Sequence, residues 1–302
     1  MPPHIPADTP PGVPADPAPL SAAVTACAAA LLRGCPLAPL EARILLAHAL
    51  GWRRTELITR ADEALSADAA SRFAALVARR VGGEPIAYLV GEREFFGLAL
   101  DVTPDVLIPR PETELLVELT LQTVAAPASR VLDLGTGSGA IALAIAAQRP
   151  DVAVVATDRS PAALALAARN GARLLPATRP GGPVQWFAGD WFDALPPGLA
   201  RFHVIASNPP YIADGDAHLA TGDLRFEPRG ALTDDADGLQ ALAAIAAGAA
   251  PWLLRGGTLW LEHGYDQASA VRALLVSHGF EQVATRTDLA GIERVTGGIR
   301  YH

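Results

Sequence analysis

The chain has no lysine at all: its 24 basic residues are all arginine, set against 32 acidic residues and a net charge of -8. This deficit of positive charge argues against a broad, undirected nucleic-acid surface, which needs clustered cations to neutralise phosphates. In a chain so rich in alanine, the missing lysine reads as compositional bias rather than a demand for guanidinium chemistry. Cysteine is scarce as well. Cys27 and Cys35 stand eight apart in a helix-turn stretch, which reads as two thiols in a reducing compartment rather than a disulfide or metal pair. No Cys or His cluster has the spacing of metal ligands, so no metal is expected. No uncharged apolar run reaches the roughly 18 residues of a membrane span, and the N-terminus lacks the basic-then-apolar order of a signal peptide. The expectation is a soluble, cytoplasmic, monomeric protein.

What is present is enough apolar residue for a large core: half of 302 residues. Residues 1–19, rich in proline and without hydrophobic periodicity, read as a disordered tail. Residues 20–85 read as a small all-α domain whose helix ends are punctuated. Ser21 is placed to cap a helix stopping near Gly34, Pro39 to open one that closes at Gly51, and Ser66 to cap one that runs into Gly82 and Gly83. Residues 86–104, with alternating apolar residues and aromatic pairs, predict a β-hairpin linker. From 105 to 302, after the helical stretch "RPETELLVELTLQTV", strands such as "RVLDLG", "VAVVATD", "VQWFAGD" and "FHVIASN" alternate with helices. A long helix is expected from Gly238 to Leu254, then the strand "GTLWLEHG", a helix and two closing strands. This alternation predicts an α/β fold with a mostly parallel sheet covered on both faces, its ligand beyond the strand C-termini.

Two turns in that region carry chemistry. In "VLDLGTGSGA", Asp133, Gly135, Gly137 and Gly139 sit at a strand-to-helix turn where missing side chains let a ligand approach the backbone. Asp158, ending the next strand, is placed to accept hydrogen bonds from both hydroxyls of a ribose. Together they indicate an adenosine nucleoside without saying which. Asp133 would repel a pyrophosphate but suits an amino group, and Asp190 and Trp191 in "GDW" suit an adenine amine and its ring. Both features favour S-adenosylmethionine over NAD.

The second turn, "SNPPY", ends a buried strand with two prolines that have no N–H to donate. Asn208 and Pro209 therefore offer oxygens, matched to a ligand bearing a planar NH2 group. Held by those two acceptors, its nitrogen would lie in line with a sulfonium methyl, with Tyr211 stacked on the substrate plane. A glutamine side chain and an adenine or guanine exocyclic amine both fit this description.

The ordered set "VLIPRPETELLVE", "VLDLGTGSGAIALAIA", "GDWF", "SNPPYIADGDAHL", "FEPRGALTDDADGL", "LEHGYDQ" and "ERVTGG" resembles the release-factor glutamine methyltransferases of the HemK/PrmC family. The resemblance spans about residues 20 to 302. It implies a Rossmann-like class I methyltransferase domain over 105–302, a mostly parallel seven-stranded sheet with a terminal antiparallel hairpin, following the helical domain. It implies methylation of the GGQ-motif glutamine of class 1 peptide-chain release factors, with S-adenosyl-L-methionine as donor and the helical domain gripping the release factor. By the same resemblance the donor falls to Gly135, Thr136, Gly137, Ser138, Gly139, Asp158, Trp191 and Asn208, joined by Asp133 and Asp190 from the reading above. The substrate glutamine falls to Asn208, Pro209, Pro210 and Tyr211. "IPRPETE" is expected to shape a cofactor lid, with Arg110 and Glu112 as candidates to hold it. Glu227 receives no task, and His263 reads as structural as readily as a base. The competing expectation is an amino-methyltransferase of nucleic acid; direct nucleic-acid binding is not expected here, since only the small helical domain could recognise a target.

Overall fold

The computed structural model describes residues 28–29, 32–124 and 126–302; the proline-rich tail, Ser21 and Cys27 lie outside them. Two compact units divide the chain, Met1–Val90 and Gly91–His302. Among the described residues no helix is long and apolar enough to cross a membrane.

In the first unit, α1 (Pro39–Leu50) begins with proline in its first turn and ends at Gly51, whose φ of 66° is the left-handed conformation that glycine adopts without strain. After the short α2 (Glu56–Thr59), Ser66 caps α3 (Ala67–Val81) by accepting a hydrogen bond from the Ala69 N–H at 3.2 Å. Ala69, Ala70, Phe73 and Val77 recur at helical spacing and form the buried stripe of α3, packed with Leu45 and Leu46 of α1. The stretch predicted as all hairpin opens instead with a helix, α4 (Ile86–Val90), whose Leu89 joins this core. Burial against a helical core overrides the β propensity of its branched residues.

The second unit starts with the hairpin β1 (Glu92–Phe95) and β2 (Leu98–Asp101). Both turn residues, Phe96 and Gly97, have positive φ, which matches the twist of a two-residue hairpin turn. Helix α5 (Glu114–Thr123) follows, and then β3 (Arg130–Leu134), α6 (Ala140–Gln148), β4 (Ala153–Asp158), α7 (Pro161–Leu174), β5 (Gln185–Ala188) and β6 (Phe202–Ser207). The chain closes with α8 (Gln240–Gly248), β7 (Leu253–Glu262), α9 (Ala268–Ser277), β8 (Glu281–Thr287) and β9 (Glu293–Arg300). The seven strands from β3 to β9 form one sheet in the order β5-β4-β3-β6-β7-β9-β8, parallel from β5 to β7, with β9 antiparallel to both of its neighbours. This is the mostly parallel sheet with a terminal hairpin that the sequence predicted.

Pleating sorts each strand between two cores. Val131, Val154 and Val204 face one way, under α5 and α6; Leu132, Leu134, Val155 and Ile205 face the other, under α8 and α9. Chain direction across the sheet reverses between β3 and β6: β4 and β5 lie outward on one side, β6 and β7 on the other. Their C-terminal ends therefore open a crevice at a topological switch point. The glycine loop leaves β3 there and the SNPPY turn leaves β6.

The long helix expected from Gly238 to Leu254 is shorter. It stops at Gly248, a 3₁₀ turn covers Ala250–Trp252, and β7 has begun by Leu253. Pro251 lacks the N–H that an α-helix would use there.

The closing "ERVTGG" has a packing reason for its first glycine. Gly297 pairs with Trp260 across β9 and β7, and a Cβ on it would fall 2.1 Å from the indole Cε3. The indole cannot simply move aside, since its N–H donates to Thr123 Oγ1 at 3.0 Å. Gly297→Ala is expected to cost about 1–3 kcal/mol through overpacking. Urea unfolding of variant and wild type checks it; equal midpoints would show that the indole shifts freely.

Candidate active site

At the tip of β3 the backbone N–H groups of Gly135 and Thr136 both donate to the Thr157 carbonyl at 2.9 Å, tying the loop to the end of β4. Gly135 and Gly137 have φ of 72° and 56°. A Cβ on Gly135 would come within 3.3 Å of the Trp191 ring. Asp158, at the end of β4, holds the loop from the other side: Oδ2 accepts from the Gly137 N–H and Oδ1 from the Ser160 N–H, each at 2.8 Å. Beyond β5, the Gly189 N–H donates to the Asp158 carbonyl at 3.0 Å. Trp191 then turns through a left-handed φ of 42°, a strained conformation of the kind that clusters at ligand sites.

These groups border a cavity of about 830 Å³, its open mouth included. Gly135, Gly137, Asp158, Asp190 and Trp191 line it beside Asn208 and Pro210 of the SNPPY turn. A facing wall comes from two segments, Asp105 to Leu107 and Pro228 to Ala231.

Other members of the predicted site fall elsewhere. Asp133, expected to meet a ligand amine, is fully buried and does not line the cavity. The pleat puts it on the same face as Val131, where Oδ2 accepts from the Thr136 hydroxyl at 2.6 Å and the Ala142 N–H at 3.2 Å. Burial, and secondarily the charge of Asp158, pushes its pKa up to about 7. It anchors the glycine loop from beneath. Thr136 and Ser138 are likewise buried. Gly139 serves packing, since a Cβ there would meet Leu143 at 3.0 Å and Ala167 at 3.2 Å.

At the end of β6, Ser207 donates to the Leu134 carbonyl at 2.7 Å, locking it to the end of β3. Asn208 is half-buried, and its Nδ2 donates to Thr113 Oγ1 at 3.1 Å. Pro209 is buried and Pro210 borders the cavity. Tyr211 does not border it: the ring packs on the α8 and α9 side of the sheet, and burial raises its phenol above the ordinary value. The Tyr211 carbonyl accepts from Gln267 Nε2 at 2.9 Å, which fixes the exit of the turn.

Three residues to which the sequence gave no role complete the surroundings. Glu227 is buried; it accepts from the Ile108 N–H at 2.9 Å and from the Arg110 guanidinium, clasping together the two segments of the facing wall. Thr113 Oγ1 receives the Asn208 amide, and its hydroxyl partly offsets the rise of the Glu262 pKa. Glu262 is itself buried, its Oε2 without a partner among the described residues, and burial pushes its pKa up to about 7. A carboxylate at the apolar end of "GTLWLE" was the available signal, because such a group needs a buried partner. His263 is structural: Nδ1 donates to the Gly264 carbonyl at 2.9 Å and Nε2 meets Thr296 Oγ1 at 2.8 Å.

Glu262 gives a pH-dependent stability. Its folded pKa, about 7, lies above the ordinary 4.5. Between those values the native state holds a proton that the unfolded chain has released, so stability falls as pH rises through this window and stays lower above it. Gln cannot ionise. The melting temperature of Glu262→Gln relative to wild type is therefore expected to be higher at pH 8 than at pH 5, as thermal unfolding at both would show. A difference independent of pH would contradict the raised pKa.

Comparison with known proteins bears on both units. The family model described as the PrmC N-terminal domain matches residues 23–91, and the methyltransferase small domain matches residues 111–227. A curated relative from Burkholderia pseudomallei, named release factor glutamine methyltransferase, is 64% identical over 87% of this chain and 92% of its own length. One of the same name from Bordetella pertussis is 56% identical over 87% of this chain and 95% of its own. A solved methyltransferase from Pyrococcus furiosus, 19% identical, covers 74% of this chain and 98% of its own, with a TM-score of 0.50, a likeness of fold alone. Identity above one half, sustained along nearly the whole of two curated relatives, places the chain in the release factor glutamine methyltransferase family.

Proposed function

We propose that the chain transfers the methyl group of S-adenosylmethionine to the side-chain amide nitrogen of the glutamine in the GGQ motif of class 1 peptide-chain release factors. One observation carries this: Asn208 and Pro210 border the same cavity as Gly135, Gly137 and Asp158, so the turn that carries the amide acceptors opens on the nucleoside cradle.

The residues present fit the donor. Gly135 leaves space that a Cβ would take from Trp191. Each Asp158 oxygen accepts one backbone N–H and keeps a lone pair for a ribose hydroxyl. Asp190 is matched to the adenine amine and Trp191 to its ring. Bound there, S-adenosylmethionine supplies an electrophilic methyl carbon on a sulfonium.

An amide nitrogen is a poor nucleophile because its lone pair is delocalised. Asn208 Oδ1 and the Pro209 carbonyl accept its two hydrogens and set the nitrogen in line with the methyl carbon. Both oxygens would also stabilise the positive charge that grows on nitrogen as its bond to the methyl carbon forms and the sulfonium–methyl bond breaks; the nitrogen then gives one of its two protons to water, leaving the methylated amide and S-adenosylhomocysteine. Residues 20–85 are assigned the grip on the release factor, 86–104 the link, and 105–302 the chemistry.

Incubation with labelled donor and either a release factor or nucleic acid tests the assignment. Label is expected on the release-factor glutamine; label in nucleic acid alone would reject it.

A further inference from the structure

We propose that Glu227 is a positioning residue for the methyl donor: its ion pair with Arg110 holds the facing wall of the cavity over the bound nucleoside and slows its departure. The inference rests on the donor site proposed above and concerns a residue outside the glycine loop and the SNPPY turn.

Glu227 stands where the two wall segments meet. One segment begins at the next residue, Pro228, and the other ends at Leu107, beside Ile108. A following proline confines a residue to extended backbone, and Glu227 has φ of -87° and ψ of 152°. Its N–H donates to the Leu224 carbonyl at 3.1 Å, so the main chain is held on both sides. The side chain is wholly buried. One carboxylate oxygen accepts from the Ile108 N–H at 2.9 Å and the other from the Arg110 guanidinium. A carboxylate removed from water needs its charge matched and its lone pairs filled, and both needs are met here by the opposite segment. Further along its own segment, the Gly230 carbonyl accepts from Arg159 Nη2 at 3.0 Å, and Arg159 also lines the cavity. Arg159 thus ties the wall to the start of α7, and Glu227 ties its two segments to each other.

Glutamine has the size of glutamate but one acceptor oxygen for two donors, and its NH2 arm must then face a donor. One link is lost, and Arg110 loses the anion opposite it. A wall so loosened has to be ordered by the ligand, at the expense of affinity. A ligand less well covered leaves sooner.

Calorimetric titration with S-adenosylhomocysteine, and stopped-flow fluorescence with Trp191 at the cavity as reporter, compare wild type, Glu227→Gln, Arg110→Gln and the double variant. Each single substitution is expected to weaken binding about tenfold, through faster dissociation rather than slower association. The double variant is expected to lose little more than Glu227→Gln alone, because both substitutions break one link. A residue that only supported the fold would lower the melting temperature and leave the dissociation rate where it was.

Wild-type dissociation rates in the single variants, or losses that multiply to about a hundredfold in the double, would overturn the proposal. Should Glu227→Gln fail to fold, Arg110→Gln breaks the same pair from its half-buried end, and its dissociation rate decides. A wild type that does not bind S-adenosylhomocysteine would overturn the donor assignment and the clasp together; tight binding that neither substitution disturbs would overturn the clasp alone.

Discussion

Asn208→Ala is expected to lower kcat on a release factor by about 10²–10³-fold, the range seen when a preorganised group opposing transition-state charge is removed. Alanine deletes Oδ1, the acceptor on which the proposed alignment of the substrate nitrogen depends, and leaves the Thr113 hydroxyl without its donor. Donor affinity should change far less, because Gly135, Gly137, Asp158 and Trp191 border the cavity independently of that side chain. Methyl transfer at saturating donor and release factor gives kcat, and calorimetric titration with S-adenosylhomocysteine gives donor affinity. A selective fall in kcat marks an interaction made mainly in the transition state. Turnover near wild type would mean that the Pro209 carbonyl and the shape of the cavity align the amide unaided, and the two-acceptor mechanism would be wrong.

How much of this was legible follows from how local each signal is. The glycine loop, Asp158 and SNPPY each occupy a few consecutive residues at a strand end, and the alternation of strands and helices brings strand ends together. Their convergence on one cavity follows from topology alone. Asp133 shows where such reasoning stops. A spacing of two from Gly135 says nothing about which face of the sheet a side chain takes, and the pleat turns this one toward α6. Thr113 and Glu227 were illegible for another reason. Asn208 lies 95 positions from Thr113, and Ile108 lies 119 positions from Glu227, so no window of sequence joins the partners. The helix that ends at Gly248 was overextended because an alanine-rich run conceals its boundary. Pro251 was the available stop signal.

Asp158→Ala is the counterpart to Asn208→Ala, expected to weaken S-adenosylhomocysteine binding by about 10²-fold or more while kcat at saturating donor falls much less. The carboxylate has two tasks in one place. It holds the loop by accepting the Gly137 and Ser160 N–H groups, and it lines the cavity where the proposed donor would bring its ribose hydroxyls. Hydrogen bonds to a charged group are worth about 1.5–3 kcal/mol each, so losing a pair to the ribose accounts for the 10²-fold even if water recovers part of the cost. Releasing Gly137 adds to the loss, because the loop must then be ordered at the expense of binding. Asp158→Asn separates the two contributions. Its carboxamide has the same shape but only one oxygen, and its NH2 arm must face one of two backbone donors; binding weaker than wild type but tighter than Asp158→Ala is expected. Calorimetric titration of the three proteins orders them. Were Asp158→Ala to bind S-adenosylhomocysteine as tightly as wild type, the ribose would lie elsewhere, and the nucleoside cradle would have to be sought away from the end of β4.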